Sequence, residues 1–162
     1  MLTEAQAWQA LDAVEDPEIP VVSVTELGIV REVVAEGDAL RVVVTPTYSG
    51  CPATELIAES IVDALKAAGA GAVTVETRLS PAWSTDWIAD DARAKLRAYG
   101  IVPPQSAAPG GGQVVRFMSR TLPCPRCGST RTTRLSEFGS TACKALYRCE
   151  DCREPFEYFK PI

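Results

Sequence analysis

The chain has 162 residues, 46% of them apolar and 23% charged, with a net charge of −5, which suits one ordinary domain or a compact domain with a small appended one. Its apolar runs stay shorter than the roughly 18 residues a membrane span needs, and the opening stretch MLTEAQAWQALDAVEDPE carries acids instead of the early basic cluster of an export or transit signal. These features exclude a membrane class and point to the cytoplasm, where the six cysteines read as thiols or metal ligands more readily than as disulfides.

Thr3 is placed to cap a first helix, along which Ala7, Trp8, Leu11 and Val14 recur at helical spacing. That helix should stop near Asp16-Pro17, because the residue before a proline avoids the α region. The turn-rich DPEIPVVSVTELGIV then leads into strands over 29–35 and 40–45, which flank Glu36-Gly37-Asp38 as a hairpin. The clearest helix covers 52–69. Pro52 suits its first position, Leu56, Ile57, Ile61 and Leu65 mark an apolar face, and Gly69 suits its end. A strand over 72–79 and a short helix over 90–99 complete the order α-β-β-α-β-α. The expected fold class is α/β, a small sandwich of about 100 residues followed by a second, smaller module.

IVPPQSAAPGGG (101–112) combines prolines with a glycine triplet and reads as a linker, dividing the chain into domains over 1–100 and 113–162. Charge divides it in the same place. Residues 1–112 hold 7 Lys/Arg against 16 Asp/Glu, a balance of −9, and residues 113–162 hold 9 against 5, a balance of +4.

The strongest chemical signal is CPRCG at 124–128 with CEDCR at 149–153. Two C-x-x-C turns can aim four thiolates at one tetrahedral zinc ion, here Cys124, Cys127, Cys149 and Cys152. The 21 residues between Cys127 and Cys149 fit one hairpin, with strands over 131–138 and 142–148 turning at Gly139-Ser140-Thr141. That is a zinc ribbon. An iron–sulfur cluster on the same thiolates stays open, since spacing does not separate the two. Zinc ribbons often bind nucleic acid, but four thiolates and one zinc ion reduce the +4 to about +2, and the basic residues are scattered. The expectation is therefore against a nucleic-acid partner. Cys143 lies six residues before Cys149 on a predicted strand, about 20 Å away at strand spacing. It reads as a packed cysteine near the hairpin tip or as a second working thiol.

Cys51 stands alone in TPTYSGCPATE, where a strand gives way to the 52–69 helix. A sulfur beside a helix N-terminus faces free backbone N–H groups, a setting that suits a nucleophile or a metal ligand. The first module has no second cysteine and the chain has no histidine, which rules out a Cys-His pair and a multi-cysteine metal site within that module. The bland alternative is a small buried hydrophobe.

DPEIPVVSVTELGIVREV, TPTYSGCP and LSPAWSTDWI resemble the signature stretches of the SufT-like iron–sulfur assembly domain. CPRCGS, FGSTACKALYRC and CEDCREPFEYFKPI resemble the ribbon of PaaD-type accessory proteins of the phenylacetyl-CoA epoxidase system, which join the two in this order. The resemblance implies a non-catalytic factor of aerobic phenylacetate degradation that helps mature the iron–sulfur or di-iron centres of the epoxidase. It places the reactive cysteine on Cys51, with Asp16 and Asp86 as supporting carboxylates. It also implies partners among the epoxidase subunits, the reductase and iron–sulfur carrier proteins, and allows a homodimer. In that reading the ribbon holds structural zinc, and Cys51, with Cys143 as a candidate second thiol, handles a transient iron or iron–sulfur cluster. The alternative role is a structural adaptor that docks through the ribbon. No Glu-x-x-His pair or 2-His-1-carboxylate set is present to perform the epoxidation itself.

Overall fold

The computed structural model describes residues 2–105 and 121–162. The chain divides into two compact units, the first ending at Ala92 and the second beginning at Arg93.

Helix α1 (Glu4–Leu11) opens the first unit behind a capping box. Thr3 Oγ1 accepts the Gln6 N–H at 3.2 Å, and Gln6 Oε1 accepts the Thr3 N–H at 3.0 Å, so two orphan donors are satisfied reciprocally. The helix stops short of the expected Asp16-Pro17. Residues 14–16 are taken by a chain reversal instead: Val24 donates to Val14 O at 2.9 Å and Asp16 to Val22 O at 2.9 Å. Val14 is thus buried from outside the helix.

Strands β1 (Val30–Glu36) and β2 (Ala39–Val44) pair antiparallel around Gly37-Asp38. Helix α2 (Ala53–Ala67) then crosses over to β3 (Ala72–Thr77), which lies parallel to β2 and gives the sheet order β1-β2-β3. Both helices pack on the sheet and on each other. The core includes Ala7, Leu11, Leu40, Val42, Val44, Ile57, Ile61 and Leu65. Leu56, expected on the buried face of α2, is 55% exposed. Ala53 takes that place: positions 53, 57, 61 and 65 form the stripe, and Leu56 sits about 100° around the helix from Ile57. A 3₁₀ turn (Thr85–Trp87) and helix α3 (Asp90–Tyr99) follow, the latter spanning the division between units.

Among its described residues the second unit carries four strands where the sequence suggests a single hairpin: β4 (Ile101–Val102), β5 (Thr132–Ser136), β6 (Lys144–Cys149) and β7 (Pro155–Phe159), in the order β4-β7-β6-β5. Strand β4 pairs parallel to β7, so Ile101 and Val102, read as linker, are buried sheet residues. Two aliphatic residues ahead of a proline pair are enough to fill one sheet edge. The remainder of the expected linker from 106 to 112 lies outside the described residues.

Candidate metal centre and thiol loop

Each C-x-x-C pair sits in a tight turn at the end of a strand or strand-like segment. In the first, Gly128 donates to Cys124 O at 2.9 Å and Cys124 donates to Ser129 O at 2.8 Å. In the second, Cys149 closes β6 and its N–H donates to Glu154 O at 3.0 Å. The fifth residue of each turn has a left-handed backbone, Gly128 at φ +75° and Arg153 at φ +65°. Both turns therefore bend the same way and present their sulfurs to a common point.

Those sulfurs lie within 4.8 Å of one another. Cys124 and Cys152 are 3.7 Å apart, and Cys127 and Cys149 3.6 Å. A tetrahedral site with metal–sulfur bonds of about 2.3 Å sets its sulfurs about 3.8 Å apart, whereas a disulfide needs about 2.0 Å. The four thiols fit a single tetrahedral metal ion. Their surroundings differ. The Cys152 backbone N–H, helped by that of Asp151, outweighs desolvation and holds Cys149 down to about 7. At Cys152 a backbone N–H from Glu154 acts downward, but desolvation and the three neighbouring sulfurs push it up to about 12. Sulfurs this close compete for negative charge, and a bound cation removes the conflict. Cys124 and Cys149 also belong to the apolar cluster with Val102, Leu122, Phe156 and Tyr158, so the cysteine cluster is built into the packed interior of this unit.

Cys143 is not among the four sulfurs. It is buried, with its Sγ 3.0 Å from Thr141 Oγ1 and its carbonyl accepting the Lys160 N–H at 2.9 Å. Beside it is a feature that no sequence pattern marks. Lys144 is 2% exposed, and its Nζ lies 2.9 Å from Glu157 Oε2. Glu157 Oε1 accepts the Ser140 N–H at 2.7 Å. This buried pair ties the FGST turn to β7. A lysine on a strand normally reads as a solvent-facing residue, so only the pairing of β6 with β7 reveals its partner.

In the first unit Cys51 is half-buried and precedes the helix cap, which is Pro52. Its N–H donates to Tyr48 O at 3.3 Å and its carbonyl accepts the Thr54 N–H at 3.2 Å. The loop leaves the C-terminal end of β2. Because β3 is parallel to β2 and β1 antiparallel, the segments entering β1 and leaving β3 emerge at that same end. The three signature stretches are joined there: Trp83 Nε1 donates to Leu27 O at 2.9 Å, and Thr45 donates to Ile29 O at 2.8 Å. Gly28, at φ +70°, is so close to Trp87 that a Cβ would meet its Cβ and carbonyl oxygen at 2.8 Å. The guanidinium of Arg31 stacks 3.7 Å from the Trp87 ring centroid. Loops at the carboxyl ends of parallel strands are where α/β folds place their sites.

The two carboxylates serve different surroundings. Asp16 is buried, and its Oδ1 accepts the N–H groups of Glu18 and Ile19 at 2.8 and 2.9 Å, an Asx turn that shapes the DPE loop. Asp86 is exposed on the 3₁₀ turn, its N–H donating to Ser84 Oγ at 3.3 Å. Among the described residues no helix is long and apolar enough to cross a membrane.

Comparison with known proteins finds a family for each part of the chain. Residues 4–77 match the family described as iron–sulfur cluster assembly protein, and residues 110–160 match the PaaD zinc beta ribbon domain. The chain is 50% identical over 157 residues to an Escherichia coli (strain K12) protein provisionally named as a subunit of the 1,2-phenylacetyl-CoA epoxidase, covering 97% of this chain and 92% of that one. It is 33% identical over 98 residues to an Fe-S protein maturation auxiliary factor of Porphyromonas gingivalis (strain ATCC BAA-308 / W83), covering 58% of this chain and 90% of that one. Among solved structures, a DUF59 domain of Bacillus anthracis is similar with a TM-score of 0.54 at 27% identity, covering 57% of this chain and 90% of that one. A conserved hypothetical protein of Thermotoga maritima is similar with a TM-score of 0.51 at 27% identity, covering 58% and 93%. With both segments matched in order and a relative alike over nearly its whole length, the chain belongs to the PaaD family of accessory proteins, an iron–sulfur assembly domain joined to a four-cysteine ribbon.

Proposed function

We propose that this protein assists maturation of the iron–sulfur or di-iron centres of a phenylacetyl-CoA epoxidase, with Cys51 as a transient thiolate ligand and the ribbon cysteines holding structural zinc. The observation that carries the reading is the setting of Cys51. It is a half-buried thiol in the strand-end loops of an assembly-type domain that has no second cysteine. One thiolate cannot hold iron or a cluster, so the remaining ligands come from a client subunit, a carrier protein or a second cysteine, for which Cys143 is the candidate within the chain. Asp16 shapes the neighbouring loop, and Asp86 stands exposed as a carboxylate near the same strand ends. Four sulfurs within 4.8 Å of one another support a closed tetrahedral site, the kind that holds a structural ion.

Anaerobic purification of the wild type, Cys51→Ser, Cys143→Ser and Cys149→Ser, with zinc and iron quantified in each, tests the assignment. Iron lost on changing Cys51 with zinc retained supports it, as does zinc lost on changing Cys149. A Cys51→Ser protein that matures the epoxidase normally in cells would sink the role given to Cys51.

A second reading, an adaptor that docks on the epoxidase or its reductase without handling metal, draws on Leu135 and Phe138. These are 50% and 60% exposed on the ribbon. Full activity of a purified epoxidase assembled without this chain excludes that stoichiometric role.

A further inference from the structure

Among the described residues, the two edges of the three-stranded sheet are managed differently. Strand β1 has a register shift between Val30 and Glu32, and its Ala35 N–H donates to Glu4 Oε1 at 3.0 Å. A bulge and a side-chain acceptor both discourage the addition of another strand. Strand β3 has neither. It runs beside β2 without a shift and contains no glycine, proline or lysine. Ala72 donates to Asp38 O at 3.4 Å and Arg78 to Val44 O at 2.8 Å. Bonding direction alternates along a strand, so Val73, Val75 and Thr77 turn their N–H and C=O groups away from β2.

Beside that edge Ala58, Glu59, Val62, Asp63 and Val75 line a groove of about 380 Å³. Its floor is aliphatic. Its rim carries two exposed carboxylates one turn apart on α2, neither of them ion-paired among the described residues. A second copy of the chain adding antiparallel to β3 would bring four such carboxylates to one seam, which like-charge repulsion opposes. A segment with basic side chains meets them favourably.

We propose that the β3 edge and the Glu59–Asp63 groove form a docking surface for an extended segment of another protein that adds as a fourth strand and carries aliphatic and basic side chains in turn at every second position, the positions that face α2. Backbone pairing with Val73, Val75 and Thr77 supplies affinity, and the groove selects the side chains. The inference does not depend on what Cys51 carries.

The probe is a short fluorescein-labelled peptide of repeating Val-Thr-Lys-Thr, which sets valine and lysine on one face of a strand, titrated with the full chain and read by anisotropy. Binding is expected to weaken about tenfold or more in the Glu59→Lys/Asp63→Lys double variant. It should also be lost when alternate peptide N–H groups are methylated. Val73→Pro removes an outward N–H while leaving the β2 ladder intact, so it should abolish binding without shifting the thermal melt. No binding of the Val-Thr-Lys-Thr peptide, equal binding of a Val-Thr-Glu-Thr peptide, or full binding by a folded Val73→Pro chain each overturns the proposal. So does a wild-type dimer in sedimentation that Val73→Pro converts to monomer, since the edge would then serve self-pairing.

Discussion

Arg153 occupies the turn position that Gly128 occupies in the other half of the metal site, and it does so with a Cβ. A left-handed backbone costs a non-glycine residue roughly 1 kcal/mol. At Gly128 nothing lies within 4 Å of where a Cβ would stand, so the cost of adding one is conformational and not steric. Arg153→Gly should raise the denaturation midpoint of the metal-bound chain by the equivalent of about 0.5–1 kcal/mol, and Gly128→Ala should lower it by about 1 kcal/mol. Chemical denaturation of the two variants at fixed zinc checks both signs. The Lys144–Glu157 pair is the other feature whose loss should be felt. Burial alone would raise the Glu157 pKa, but the Ser140 N–H and the Lys144 ammonium together hold it below the ordinary glutamate value. A depressed carboxylate pKa contributes stability that is complete above the unfolded value of about 4.3 and is lost as pH falls below it. Glu157→Gln leaves a buried ammonium without its counter-charge, for which about 3 kcal/mol is the expected loss at neutral pH. The gap between wild type and variant should close on acidification below pH of about 4. Thiol protonation at the ribbon is common to both chains and cancels in the difference.

At the scale of elements, helix α2 shows what periodicity reveals and what it leaves out. Ile57, Ile61 and Leu65 are all buried, as their spacing implies, while Leu56 is not. Leu65→Ala should therefore cost about 2–4 kcal/mol, and Leu56→Ala less than about 0.5 kcal/mol. Urea denaturation of the pair separates them, and similar losses would mean that the assigned face is wrong. The helices, the first hairpin, β3 and the gathering of four cysteines were legible because each rests on a local signal: a cap, a turn, a period or a spacing. Three features were not. The end of α1 depends on pairing between 14–16 and 22–24, the strand character of Ile101-Val102 depends on β7, and the burial of Lys144 depends on Glu157. Each is fixed by a partner distant in sequence, and no local pattern encodes it. The thiol loop stands between these cases. Its cysteine is conspicuous in the sequence, but its place among the strand ends follows from the parallel pairing of β2 with β3.

For the whole molecule, the two units hold themselves together by different means. The first has a conventional core of two helices on a sheet, drawn from residues such as Leu11, Val42, Val44, Ile61 and Leu65. Among the described residues, an apolar cluster in the second counts two of the four gathered cysteines, Cys124 and Cys149, among six buried members. A cluster that draws on thiols which must share one small space is expected to need a staple to offset the conformational entropy of ordering its strands. Metal binding, with apparent free energies of about 10 kcal/mol or more for such sites, is then much of the folding free energy of that unit. Removing zinc from the full chain with a chelator should abolish amide-exchange protection across β5, β6 and β7 and leave β1, β2, β3 and α2 protected. Peptide-resolved hydrogen exchange with and without chelator reads both halves at once. If the ribbon strands stayed protected, the metal would be dispensable to the fold, and if the first unit lost protection as well, the two units would share a single stability. The predicted result, local melting beside an intact first unit, also bears on function. It would let metal loss at the ribbon be varied independently of Cys51, so that the contribution of each thiol group to the proposed maturation role could be measured in the same chain.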